Sequence, residues 1–203
     1  MINFHKLFEF KDRFSEFVIA GSGPSNFNYD FSKITLPIIF INDMHRFSEN
    51  CPSEHQYFIT HHILNFQKVK PLTIHIERMY YDMGDYSGFL EVAANPIGPY
   101  ISVECQATEE AANSRFFGKQ SWLLDKKQVA LKNRLAACYG SATTALHFAW
   151  FAGAQRVTMI GCNPDTPPVH DARIGGKLVS APELVKESLA VMPNILGLEV
   201  VHV

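Results

Sequence analysis

Phe17-Val18-Ile19-Ala20-Gly21-Ser22-Gly23-Pro24-Ser25 is the stretch on which the fold turns. Its first four residues are apolar with no alternation, the pattern of a strand buried on both faces, as in a parallel sheet covered by helices on either side. They include no Lys or Pro, the residues that blunt exposed edges, so this strand is expected inside the sheet. The next five residues form a small-residue turn. In open parallel sheets, ligands bind just beyond the carboxyl ends of strands. Two glycines allow a tight turn there and close approach of a phosphate to main-chain N–H groups. Pro24 has no N–H, so the expected donors are Ser22, Gly23, Ser25 and Asn26, with the two serine hydroxyls. The plainer alternative is a turn that only leaves the strand.

Working outward, further apolar runs rich in β-branched residues occur at Ile38–Ile41, Tyr57–Thr60, Leu72–Ile76, Val157–Ile160 and Leu198–Val201. Helical stretches are expected at Phe4–Phe14, Trp122–Leu135, Ser141–Ala152 and Pro182–Met192. The third is apolar nearly all round and should be buried, with Ser141 able to cap its start and Gly153 placed where a helix stops. Strand alternating with helix predicts an α/β, Rossmann-like, mostly parallel sheet flanked by helices. Residues 1–203 read as a single domain. The segment 82–118, with Gly84, Gly88, Pro96, Gly98 and Pro99, reads as loops, an insertion or a lid.

Composition narrows the class. Of 203 residues, 47% are hydrophobic and 19% charged, which excludes a disordered chain and a coiled coil. A chain of this size should bury about 70% of the surface its unfolded form exposes, so neither disulfide nor metal is needed for folding. Eighteen Lys and Arg against twenty Asp and Glu leave a net charge of −2, so nucleic acid is not the expected partner. Cys51, Cys105, Cys138 and Cys162 show no CxxC spacing. No signal peptide and no apolar run of ~18 residues is visible, so no integral membrane segment is expected and the location expected is cytoplasmic.

Three further motifs lie at predicted strand or helix boundaries. Asn42-Asp43 follows the second strand, and an Asn amide suits reading a base or sugar edge; a simple cap is the alternative. Gly140-Ser141-Ala142-Thr143-Thr144 opens the buried helix, where unpaired N–H groups can hold an anion or ribose. Asn163 and Asp165 follow the late strand, and Pro164, Pro167, Pro168, Gly175 and Gly176 mark the next stretch as a loop or lid. His170 lies on it between Asp165 and Asp171, the arrangement of a general base whose tautomer is fixed by a carboxylate; an exposed loop histidine is the alternative. There is no Gly-Lys-Ser/Thr triplet for a P-loop, and Asn26 stands where a dinucleotide fingerprint needs its third glycine. No metal site is expected: His61, His62 and His75 lack a carboxylate at ligand spacing. His147 reads as a packed core histidine.

Together, "VIAGSGPS", "IFIND" and "GSATTALHFAWFAGAQRVTMIGCNPD", followed by a loop His, resemble a Rossmann-like superfamily. It includes bacterial lipooligosaccharide sialyltransferases, motility-accessory-factor (Maf) flagellin glycosyltransferases and the hydroxymethylpterin pyrophosphokinases (MptE-like). The resemblance spans residues 17–43 and 138–171. It implies contacts to the CMP part of CMP-sialic acid from Gly21, Ser22, Gly23, Pro24, Ser25, Asn42 and Ser141, with Asn163 after the late strand and His170 as base. The implied activity is a metal-independent glycosyltransferase, without cofactor, taking a nucleotide-sugar donor and an acceptor hydroxyl. One alternative is pyrophosphoryl transfer of the pterin type, with Mg²⁺ on Asp43 and Asp165. Another is a non-catalytic nucleotide-binding relative, because the sialyltransferases hold the leaving phosphate with tyrosines after the late strand and no tyrosine occurs between Gly161 and His202.

Overall fold

A computed structural model describes residues 6–60, 72–78, 100–106, 123–132, 134–136, 141–163, 173–174, 177–178 and 182–203. Eight strands form one sheet: β1 (Glu16–Ala20), β2 (Ile38–Ile41), β3 (Gln56–Thr60), β4 (Leu72–Arg78), β5 (Tyr100–Gln106), β6 (Arg134–Ala136), β7 (Arg156–Ile160) and β10 (Glu199–His202). Their order is β10-β7-β1-β2-β3-β4-β5-β6, and every neighbouring pair is parallel. The α/β class and the interior place of β1 are as the sequence predicts. A separate antiparallel pair, β8 (Arg173–Ile174) and β9 (Lys177–Leu178), lies outside the sheet.

The unalternating apolar runs are explained by cover on both faces. Phe17 and Ile19 of β1 join Ile39, Tyr57, Ile59, Val157 and Met159 in one core layer. Val18 and Ala20 point the other way, with Ile38, Phe40, Phe58 and Ile160, in a second layer. The first layer is closed by three α-helices, α1 (Lys126–Lys132), α2 (Ser141–Phe151) and α3 (Pro182–Leu196). The second is closed by the 3-10 segments Phe31–Lys33 and Asn42–Asn50, through Phe31, Met44 and Phe47.

Helix α2 lies beneath β1, β2 and β3, and ten of its eleven residues are buried, as its all-round apolar sequence predicts. Its end is a Schellman turn: Gly153 has φ +107°, its N–H donates to the Trp150 carbonyl (3.0 Å), and the Ala154 N–H donates to the Ala149 carbonyl (3.0 Å). Remaining carbonyls are met from outside. The N–H groups of Asp12 (3.2 Å), Arg13 (2.6 Å) and Phe14 (2.9 Å) donate to Phe151 or Ala152. That contact corrects the expected helix over Phe4–Phe14. Among the described residues only a 3-10 turn, Leu7–Phe10, forms there, and at Asp12 the backbone turns to φ +55° to reach α2.

Two other expectations change. The helix predicted over Trp122–Leu135 is α1 alone, because Arg134–Ala136 leaves to pair with β5. Within the 82–118 stretch, residues 100–106 are an interior strand between β4 and β6. Helix α3 begins at Pro182 as expected and runs past Met192, through Pro193, to Leu196. His147 is fully buried and joins three segments. Its Nδ1 accepts from the Ala136 N–H (2.8 Å), so Nε2 carries the proton and donates to the Leu123 carbonyl (3.2 Å). Desolvation lowers its pKa to about 4, so it stays neutral. No helix among the described residues is long and apolar enough to cross a membrane.

Candidate functional site

Strand order reverses between β1 and β7. From β1 the chain moves to the second layer and on to β2; from β7 it moves to the first layer and on to β10 through α3. Loops leaving the carboxyl ends of β1 and β7 therefore part to opposite faces, and the gap between them is the topological switch point of the sheet.

The two loops are tied together closely. The Gly21 N–H donates to the Ile160 carbonyl (2.8 Å) and the Gly23 N–H to the Gly161 carbonyl (2.8 Å). Ser25 Oγ accepts from the Gly161 N–H (2.9 Å) and donates to the Val203 carbonyl (2.7 Å). Glycine is required by this approach. A Cβ on Gly23 would lie 2.6 Å from the Gly161 carbonyl oxygen, and one on Gly21 would lie 2.4 Å from Cys162 Sγ. Gly161 itself has φ +63°, and a Cβ there would lie 2.4 Å from the Gly21 oxygen. The small residues thus serve first to let two backbones touch. The Gly23 N–H and the Ser25 hydroxyl, both expected as ligand donors, are engaged in that contact. Ser22, half-buried, makes no hydrogen bond among the described residues and is the donor this loop leaves open; Pro24 is exposed.

Asn26, 1% exposed, braces the loop from below. Its Nδ2 donates to the Gly21 carbonyl (2.6 Å) and contacts Met44 Sδ (3.1 Å), while Oδ1 is buried without a partner. Met44 lies on the turn that begins at Asn42, so Asn26 joins the ends of β1 and β2. The sequence offered Asn26 only as a backbone donor; its apolar surroundings come from residues far along the chain.

Asn42 sits at the end of β2 with φ +53°, a left-handed conformation that asparagine tolerates better than most residues. Its carbonyl accepts from His45 Nδ1 (3.0 Å). Its Oδ1 faces two hydroxyls, Thr60 Oγ1 at 3.4 Å and Ser141 Oγ at 3.5 Å, both long contacts. The Nδ2 group makes no hydrogen bond among the described residues. Residues 42, 60 and 141 therefore meet at the carboxyl edge. Thr60 is not among the residues the sequence singles out as a site; its place at the carboxyl end of β3 was the available signal.

The remaining expected residues are dispersed. Asp43 is exposed, Asn163 is exposed beyond β7, and Thr143 is fully buried within α2. Gly140, Asp165 and His170 lie outside the described residues. Cys162 packs its sulfur against Gly21, and burial pushes its thiol up to about 12, so it is no nucleophile at neutral pH. Cys51 is also a free, buried thiol with a raised pKa. No group of three or more His, Cys, Asp or Glu side chains that could hold a metal ion occurs among the described residues.

The architecture has solved counterparts. The sialyltransferase CstII from Campylobacter jejuni, crystallised with cytidine-5'-monophosphate, superposes with a TM-score of 0.50 at 12% identity, over 94% of this chain and 80% of that one. A further crystal structure of Cst-II with CMP gives 0.52 at 10% identity, over 93% and 80%. The α-2,3-sialyltransferase Cst-I from Campylobacter jejuni gives 0.50 at 11% identity, over 93% and 75%. At these identities the likeness is one of fold. No protein-family model matches the chain, and no curated protein matches it in sequence.

Proposed function

We propose that the protein binds a nucleotide-activated sugar of the CMP-sialic acid kind at the carboxyl edge of its sheet and transfers the sugar to an acceptor hydroxyl. The observation that carries this reading is the meeting of Asn42, Thr60 and Ser141 at one sheet edge, with Asn42 Nδ2 unengaged. The same edge carries the switch point, where Ser22 is the open donor. The shared fold supports the reading, since its solved counterparts include sialyltransferases crystallised with CMP.

In this reading Asn42 Nδ2 and the Ser141 hydroxyl orient the nucleoside. The Ser22 N–H and hydroxyl stabilise charge gathering on the phosphate as it leaves. The acceptor oxygen forms a bond to the anomeric carbon, the bond from that carbon to the phosphate oxygen breaks, and CMP departs with the electron pair. The acceptor proton passes to His170, which follows β7 in the sequence. No tyrosine occurs between Gly161 and His202 to share that charge.

Thermal unfolding with CMP, CMP-sialic acid and ATP–Mg²⁺ tests the binding step. A ligand at about 100 times its dissociation constant adds ~2.7 kcal/mol, a readily measured shift. CMP should raise the melting temperature of the parent and leave Asn42→Ala unmoved. A shift with ATP–Mg²⁺ alone would favour the pyrophosphoryl-transfer alternative, and an equal CMP shift in Asn42→Ala would remove the site. For the chemical step, His170→Ala should lower turnover by about 10²–10⁴-fold with CMP affinity unchanged. CMP binding with no consumption of activated sugar by the parent would leave a binding protein.

A further inference from the structure

Away from the carboxyl edge, the 3-10 turn Leu7–Phe10 packs against α1, and both elements lead into the amino ends of their strands, β1 and β6. Their outer surface is unusual. Leu7 and Phe10, three residues apart, are buried, which turns Phe8 outward at 67% exposure. On α1, Val129 is buried and Leu131, two positions on, faces the opposite side at 70% exposure. Leu124, in the turn that precedes α1, is 53% exposed. These are three of the five large hydrophobic side chains exposed among the described residues. Lys127, exposed on the first turn of α1, lies between the two leucines in sequence and four residues before Leu131.

Charge on the same elements is one-sided. Residues 6–13 and 123–132 carry six basic and three acidic side chains, a net +3. The whole chain is −2, so all other residues together are −5. Asp125 caps α1 through the N–H groups of Lys127 (2.9 Å) and Gln128 (3.1 Å), and Asp12 pairs with Lys11 and Lys126. Lys6, Arg13, Lys127 and Lys132 make no ion pair among the described residues.

We propose that this surface docks the protein on an anionic lipid bilayer. Exposed Phe and Leu separated by unpaired cations suit an interface whose surface is negative and whose interior is apolar. A second copy of the chain is disfavoured, because apposing two +3 surfaces is repulsive. The carboxyl edge lies at the other end of β1 and β6, so docking leaves the candidate nucleotide site open, and the proposal stands whether or not a nucleotide binds there.

The test is co-sedimentation of the whole protein with vesicles of phosphatidylcholine alone or with about 30% phosphatidylserine, at low and high salt. Binding should require phosphatidylserine and weaken as salt rises. Each cation removed at an anionic surface lowers affinity about fivefold, so Lys127→Gln with Lys132→Gln should lose about 25-fold. Leu124→Gln with Leu131→Gln should abolish binding while keeping the parent melting temperature, because both side chains are exposed. Absent or phosphatidylserine-independent binding overturns the proposal, as do variants that bind like the parent. Variants that instead lose a polyanionic partner, scored with single-stranded DNA or poly-glutamate, also overturn it.

Discussion

His147 is the residue whose chemistry the fold alters most plainly. Unfolded, its imidazole takes a proton near pH 6.5; folded, it resists until about pH 4 because three segments enclose it. Between those values the unfolded chain binds more protons, so stability falls as pH drops from about 6.5 to about 4 and is unaffected by this group above. The full loss is about 3 kcal/mol at the lower end. Urea midpoints measured from pH 7 to pH 4.5 should fall for the parent and fall less for His147→Gln. An identical slope in both would show that the ring does not carry the effect. Gly161 is the opposite case, a residue chosen for what it lacks. Gly161→Ala adds a Cβ at φ +63°, which alone costs about 1–2 kcal/mol, and drives it into the Gly21 carbonyl. Unfolding in urea should show a loss above ~2 kcal/mol; parent-like stability would mean the β1 and β7 loops are not in contact. Sequence could place glycines at 21, 23 and 161, but not say that they face one another. The contact pairs residues about 140 apart, so the turn at Gly21–Ser25 read as a phosphate cradle when its first task is backbone packing.

At the scale of elements, α2 is the support on which the sheet rests. Phe148 is fully buried, with ring centroids 5.4 Å from Tyr57, 5.9 Å from Phe10 and 6.2 Å from Phe17. Phe148→Ala should cost about 3–5 kcal/mol by denaturant titration, whereas Leu131→Ala, on an exposed face, should stay within about 0.5 kcal/mol. A small effect at Phe148 would mean the layer can collapse into the gap. Elements of this kind were legible because burial on all sides leaves an unbroken apolar run. Strands β1, β2, β3 and β7 and helix α2 carry that mark, whereas β10, at the end of the sheet, is only half-buried. Tyr100–Gln106 lacks it: Ser102, Glu104 and Gln106 alternate with Ile101, Val103 and Cys105, and Gly98 and Pro99 precede them. Arg134–Ala136 is three residues long and merges with the helix before it. The 3-10 turns have no period to read, since i and i+3 side chains eclipse and no stripe accumulates. Thr60 escaped notice for a related reason, because its role appears only once β3 lies beside β2.

For the whole molecule, the order of strands decides what the sequence could reveal about the site. Gly21–Ser25, Asn42 and Ser141 each fall at an element boundary, which is why they were readable as candidates. Which of their donors remain open depends on pairings across the sheet. Those pairings also set a hazard. Strand β1 gains its second neighbour only from residues 156–160, a separation of 140 positions from its own start. Until that segment arrives, Phe17–Ala20 is an apolar edge strand with unpaired N–H and C=O groups along one side, and it lacks the lysines or prolines that guard such edges. A nascent or truncated chain ending near residue 150 would hold six strands in order and still present this open template to its neighbours. Light scattering on that fragment should report self-association at micromolar concentration, and a peptide of residues 154–163 should suppress it by occupying the gap. The same interior position that makes β1 secure in the finished protein makes its synthesis the interval of greatest exposure.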